Sequence, residues 1–334
     1  LFSWLSSFAS IIISISNCYY NAKGQFRLPL LLSLIPIFLS ILLTLIFHHT
    51  LGVASIALGM FIGNATILLL ILMISDYSSF DNRYKRYKQE AISVLKAVPI
   101  AAISMLCFSI YQTVDSILGP ILGKSNLAYL SYAQRITIAL GGLIIAGPFT
   151  ILVPKLTESY DAKRMTDFYS YIISILKTVI IYSIIILVLV SIFSEDLIKL
   201  LFERGKFNGG DTKILASIIP FYLIGMGFML CSAILFRVLF ITNKQMSALI
   251  ISILMVFFYT FFSAILSSFL FIKGIGISYI LSWIFTCIAS GQIIFKNKIS
   301  VIVKHNFIKD LFYALAIAVL LNIFIIMINK QFLY

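Results

Sequence analysis

Apolar runs of about 20 residues, separated by short polar connections, recur from one end of this chain to the other. A run of that length lets an α-helix cross the ~30 Å hydrocarbon core of a bilayer at 1.5 Å per residue. Hydrocarbon offers no water to backbone N–H and C=O groups, so a spanning segment must satisfy them internally. The pattern calls for an all-α fold, a polytopic membrane helical bundle. Ten spans are expected, near 1–20, 28–47, 51–74, 92–114, 126–153, 169–193, 214–241, 247–271, 274–295 and 308–329. Connections as short as 21–27, 48–50 and 242–245 make consecutive spans antiparallel. Only 11% of the 334 residues are charged, against about a quarter in soluble domains. The first run, Leu1–Tyr20, lacks a basic flank and a small-residue cleavage site, so it is expected to be a span rather than a signal peptide.

The formal net charge of +13 bears first on topology. Of the 25 Lys and Arg residues, 15 fall in connections on one side, including Arg83, Lys85, Arg86 and Lys88, and seven on the other. The richer side is expected to be cytoplasmic. The loop 76–90, DYSSFDNRYKRYKQE, reads as a headgroup-bound linker between two bundles. On the opposite side, 194–213 opens as a short amphipathic helix and ends in a Gly209-Gly210 turn, with Asp211 expected to be the N-cap of the next helix.

Enzyme chemistry finds no footing. Cys18, Cys107, Cys231 and Cys287 lie singly in apolar runs and read as small buried hydrophobes. His48 and His49 are adjacent and His305 is remote, so no helix-spaced metal pair exists. No nucleophile elbow, phosphate loop or nucleic-acid motif accompanies the positive charge. No cofactor, metal or nucleic-acid partner is expected, and the protein is not expected to be an enzyme.

Within the spans, polar residues stand out. Arg135 lies in the run 126–156, where a guanidinium in hydrocarbon costs about 2.5–3.5 kcal/mol. Two roles are open to it: facing a water-filled cavity or a bound anion, or snorkelling to the surface. If the helix enters hydrocarbon at Asn126, Arg135 sits roughly 14 Å deep. Asp115, near the end of 92–114, is a candidate cation contact or an outer-boundary residue. Asn64, Gln112, Gln292 and Asn322 are expected to bond between helices. Gly59 and Gly63, and Gly141, Gly142 and Gly147, read as sites of close helix packing, and the second group also as places where the Arg135 helix could bend.

Spans one to three resemble spans seven to nine at a constant offset of 222 residues. Asn21 falls on Asn243 and Gly52 on Gly274. Weak internal symmetry of this kind is typical of transporters. The implied unit is a six-helix lobe. The second lobe then spans 92–297, the last three spans of a first, incomplete lobe lie in 1–75, a linker covers 76–91, and 298–334 holds one further span. About 130 residues of the first lobe are expected to precede Leu1.

The strings YAQRITIALGG, ILVPKLTE and LLFERGKFNGGDT resemble the second lobe of the MurJ/MviN lipid II flippase family, within the multidrug and oligosaccharidyl-lipid exporter superfamily. Tyr132, Ala133 and Arg135 fit the family's first motif; Val153, Pro154 and Leu156 its second; Leu201, Phe202, Gly205, Phe207 and Asp211 its third. The resemblance implies two lobes that move an undecaprenyl-pyrophosphate-linked peptidoglycan precursor across the bacterial cytoplasmic (inner) membrane by alternating access. Flippases for other lipid-linked oligosaccharides share that pattern. Cation-coupled multidrug exporters are a further alternative. The implied partners are the lipid-linked substrate, membrane lipids and cell-wall synthesis proteins. Arg135 matches the cavity arginine of the lobe, with a planar charged fork suited to pyrophosphate oxygens. Gln134 stands where the family commonly carries an acid, and is a second candidate cavity contact beside Asp115. Some members use a cation site with acidic or amide ligands on the span equivalent to 247–271. That stretch holds neither Asp nor Asn here, so sodium coupling is not expected.

Overall fold

The computed structural model describes residues 2–22, 31–74, 84–123 and 125–296. Every regular element among them is an α-helix: α1 (Phe2–Ala22), α2 (Leu34–Leu51), α3 (Ala54–Ile74), α4 (Tyr84–Leu122), α5 (Asn126–Asp161), α6 (Met165–Ile192), α7 (Ser194–Phe202), α8 (Gly209–Ile241) and α9 (Gln245–Phe295). Seven of these are long and apolar enough to cross a membrane. The expected span 308–329, Asn322, the cations Lys23 and Arg27, and most of the loop before Tyr84 lie outside the described residues. The chain divides into two compact units, residues 1–90 and 91–334.

In the first unit α3 packs on both α1 and α2. Gly59 and Gly63 place a bare backbone against α2. A Cβ on Gly63 would fall 2.9 Å from Pro36 Cβ and closer still to Pro36 Cα, and one on Gly59 would fall 3.0 Å from Leu39 O and Ser40 N. Such approach is how membrane helices gain packing where no hydrophobic drive separates them from lipid. One residue further on, Asn64 Nδ2 donates to Ser6 Oγ at 2.9 Å, the expected bond between helices. Gln112 instead bonds locally, donating to Tyr111 OH at 3.4 Å.

The second unit is built around α8, which packs on α5, α6, α7 and α9. Its residues Leu215, Tyr222, Met226 and Val238 have no exposed surface. α9 is 51 residues long, about 76 Å if straight and more than twice the hydrocarbon core. It is bent at Phe271, whose φ of 52° and ψ of −136° break the helix into two arms. Tyr259 on the first arm and Tyr279 on the second both reach Tyr111, with ring centroids 5.9 and 5.7 Å away, so the arms run back along each other. They correspond to the two spans expected over 247–271 and 274–295. Gly274 makes the corner possible, because a Cβ there would strike the Leu266 carbonyl. On the second arm Ser278, Ser282, Thr286 and Ser290 recur every four residues and are fully buried. Each hydroxyl donates to the carbonyl one turn earlier, so their burial leaves no unpaired donor.

The corner at Gly52, between α2 and α3, has nearly the same backbone angles as Phe271, φ 52° and ψ −131°. The hairpin shape therefore recurs in both units. The corners are 219 residues apart, so the alignment of Gly52 with Gly274 is one helical turn out of register with the bend itself.

Candidate functional site

Gln134 and Arg135 are neighbours on α5, about 100° apart around the helix. Packing takes one side chain and leaves the other: Gln134 is 9% exposed, while Arg135 is exposed. α5 starts at Asn126, so Arg135 lies about 14 Å along it. The exposed stripe continues through Ile138, Ala139, Gly142, Leu143 and Ala146, spaced by three and four, and Arg135 is its one charge. The ion pairs found among the described residues join Arg164 to Glu158 and Asp167; none involves Arg135.

Asp115 is 2% exposed. α4 runs on to Leu122, seven residues or about 10 Å beyond it. Three donors from three other helix segments reach its carboxyl group. Gln134 Nε2 on α5 and Tyr222 OH on α8, the latter at 3.3 Å, donate to Oδ2. Tyr259 OH on the first arm of α9 donates to Oδ1. Around them Tyr222 and Tyr279 stack with centroids 4.9 Å apart, and Tyr111 and Trp283 meet edge-on at 6.5 Å. Gly225 leaves room for this stack, since a Cβ there would overlap the Tyr279 ring. Hydrogen bonds to a charged acceptor contribute about 1.5–3 kcal/mol each. Three of them give roughly 5–9 kcal/mol, the scale of the several kcal/mol that burying a carboxylate costs.

A hard cation is held by oxygen lone pairs converging on one point. Here amide and phenol hydrogens converge on the carboxylate, and Asp115 is the one acid in the cluster. The residues present do not fit a cation.

The motif residues serve a different purpose. Tyr132 packs on Phe202 and Phe207, with centroids 4.7 and 5.8 Å away, so the first and third motifs meet. Tyr129, on the preceding turn, donates to Asp211 Oδ1. Asp211 is not the N-cap of α8 as expected. Asn208 is, accepting from Gly210 N at 2.8 Å and Asp211 N at 3.2 Å, while Asn208 N donates to Asp211 Oδ2 at 2.8 Å. Gly209 and Gly210 are the first helical residues rather than a turn before it. This capping box ties the α7–α8 loop to the start of α5. Ala133 and Leu156 are fully buried, and Gly205 has the positive φ of 66° that glycine accommodates. Lower down, Gly141 touches Met226 and Leu230, but a Cβ on Gly142 or Gly147 would meet nothing within 4 Å. Among the described residues, close packing does not explain those two glycines. Gly147 lies with Leu143, Ile144 and Pro148 along an apolar groove of about 520 Å³ shared with Thr178, Tyr182 and Ile186 of α6.

The tyrosines at Asp115 are not apparent from the sequence, where acids and amides are the residues that stand out as polar partners. The available signal was that Tyr222 and Tyr259 lie deep in apolar runs, where a phenol must find an acceptor.

A helical bundle with seven helices apolar and long enough to cross a membrane, a bent hairpin and a buried acid has the architecture of a multi-span membrane protein. Solved structures bear this out at the level of fold. A Vibrio cholerae MATE transporter superposes with a TM-score of 0.74 at 18% identity, covering 89% of this chain and 69% of its own. The lipid II flippase MurJ in an inward closed conformation superposes with a TM-score of 0.65 at 19% identity, covering 100% of this chain and 73% of its own. The family model described as lipid II flippase MurJ matches residues 1–334, and the chain belongs to that family. Among curated relatives, a probable lipid II flippase MurJ of Buchnera aphidicola is 26% identical over 40% of this chain. That of Helicobacter pylori is 24% identical over 43% of it. These alignments span 26% and 31% of the two relatives' own lengths.

Proposed function

We propose that this protein takes part in moving a polyprenyl-pyrophosphate-linked cell-wall precursor, lipid II, across the cytoplasmic membrane. The observation that carries the reading is Arg135: a permanent positive charge, exposed about 14 Å along the apolar helix α5, with no acid paired to it among the described residues. Such a charge suits a pyrophosphate, whose oxygens its fork can bond in pairs. In this reading residues 92–297 form the second lobe, residues 1–75 hold the last three spans of the first, and 298–334 add a further span. The lobes expose Arg135 to the two sides of the membrane in turn. The 15 cations of the basic side lie in the cytoplasm, where the precursor is taken up. Membership of the MurJ family supports this substrate over other lipid-linked glycans. The cation-coupled multidrug exporter is the weaker reading, because Asp115, the intramembrane acid it would use, is already bonded by three donors.

The test is complementation of a conditional lipid II flippase depletion strain by the reading frame that encodes this chain, beside Arg135→Ala and Arg135→Lys. Rescue by the parent and Arg135→Lys but not by Arg135→Ala is expected. Equal rescue by all three would remove Arg135 from the transport path. Failure of a well-expressed, membrane-inserted parent would point to another lipid-linked substrate.

A further inference from the structure

Asp115 joins α4 to α5, α8 and the first arm of α9 through three hydrogen bonds, and the donor on α5 is Gln134, the neighbour of Arg135. Of these donors Gln134 is the one whose replacement of the same shape, glutamate, is an acid. A carboxylate at that position would face the Asp115 carboxylate within bonding distance. Two such groups cannot both stay ionised without a proton or a cation between them. An amide needs neither, because its N–H₂ supplies the hydrogens directly. We propose that Gln134 is the residue that decides whether this site takes a cation. In this chain its amide, with Tyr222 and Tyr259, supplies the Asp115 carboxyl group with hydrogen bonds from three sides, and the lobe is folded and complete at Asp115 without sodium.

The inference concerns the ion and not the transported lipid, so it stands apart from the proposed function. It also gives Gln134 a role that Arg135 does not share. Gln134 faces the core and sets the ion requirement, while Arg135 faces outward.

The experiment is thermal unfolding of the purified full chain in detergent, titrated with sodium chloride against choline chloride at constant ionic strength. Four proteins are compared: the parent, Asp115→Asn, Gln134→Glu, and Gln134→Glu combined with Asp115→Asn. The parent and Asp115→Asn are expected to show the same midpoint in both salts. Gln134→Glu is expected to unfold at a lower temperature in choline and to recover with sodium in a saturable manner, by about 3–6 °C at tenfold excess over the dissociation constant. The double variant is expected to lose that response. A saturable sodium shift in the parent that Asp115→Asn abolishes would overturn the proposal. So would a folded Gln134→Glu that ignores sodium. The parent titration decides the matter alone should Gln134→Glu fail to fold. Loss of lipid II complementation leaves every arm of this test untouched.

Discussion

Gly63→Ala sets two effects of known size against each other. Alanine in a helix interior is favoured over glycine by about 1 kcal/mol, so the substitution should stabilise α3 if nothing lies in the way. Pro36 does lie in the way. The new methyl carbon would sit 2.9 Å from Pro36 Cβ and nearer to its Cα, against a comfortable carbon–carbon separation of about 3.5–4.0 Å. Neither neighbour can swing aside, since one is backbone and the other a ring carbon. α2 and α3 must therefore part by roughly 1 Å, a gap that forfeits up to half the dispersion energy of each contact. Overpacking costs about 1–3 kcal/mol, and rigid neighbours place this case at the upper end. The net expectation is a loss of about 2 kcal/mol, or roughly 4–8 °C in the midpoint. Gly142→Ala is the control, because a Cβ there meets nothing within 4 Å. It should hold or raise stability by up to about 1 kcal/mol. Thermal unfolding of the two variants beside the parent, followed by size-exclusion chromatography, separates the cases. A Gly63→Ala protein as stable as Gly142→Ala would refute the close approach of α2 to α3.

Two further outcomes follow from local geometry. Phe271→Gly should raise the unfolding midpoint, since a φ of 52° with ψ −136° costs a non-glycine residue about 1–3 kcal/mol and the ring is 66% exposed; an unchanged or lower midpoint would contradict the corner. Asp211→Ala should destabilise more than the roughly 0.5–2 kcal/mol expected of Asn208→Ala, because it removes the acceptor of the buried Tyr129 hydroxyl as well as half of the capping box; equal denaturation midpoints would deny the Tyr129 bond.

Much of this fold was legible because membrane spans are written in long, redundant patterns. Runs of 20 apolar residues survive an error of several positions, and every expected span that falls within the described residues has a helix beneath it. The hairpin of α9 was legible as two spans. Its bend was not, because Phe271 carries no turn signal and the nearby glycine, Gly274, supplies clearance rather than the positive φ. The motif string that ends in Asp211 was read as a helix start, which it is, but the cap is Asn208, three residues earlier. Asp211 instead closes the capping box from the third helical position, a role that its acid type next to two glycines does not distinguish from a cap. The site was legible in part. Arg135 and Asp115 announce themselves, since charge is rare in hydrocarbon. Their environments depend on which face of α5 is packed, and residues 134 and 135 differ by one step in a stretch whose apolar character continues all round the helix.

The division of labour on α5 constrains how Arg135 can move. The upper part of the helix is tied by the Tyr129–Asp211 bond, by Tyr132 between Phe202 and Phe207, and by Gln134 on Asp115. Turning Arg135 by rotating α5 alone would draw Gln134 away from a buried carboxyl group and leave it short of a donor, at a cost of about 1–3 kcal/mol or more for a charged group. Breaking the Tyr129 bond and the aromatic contacts would add to that. Beyond Arg135 a Cβ on Gly142 or Gly147 would meet nothing within 4 Å among the described residues, and Pro148 and Pro154 each remove a backbone donor from the helix. Bending is therefore cheaper around 142–148 than rotation is in 126–135. A change in the access of Arg135 must come either from movement of α4, α5, α8 and α9 as one body or from a bend beneath the arginine, and independent rotation of its own helix is the motion that the packing opposes most.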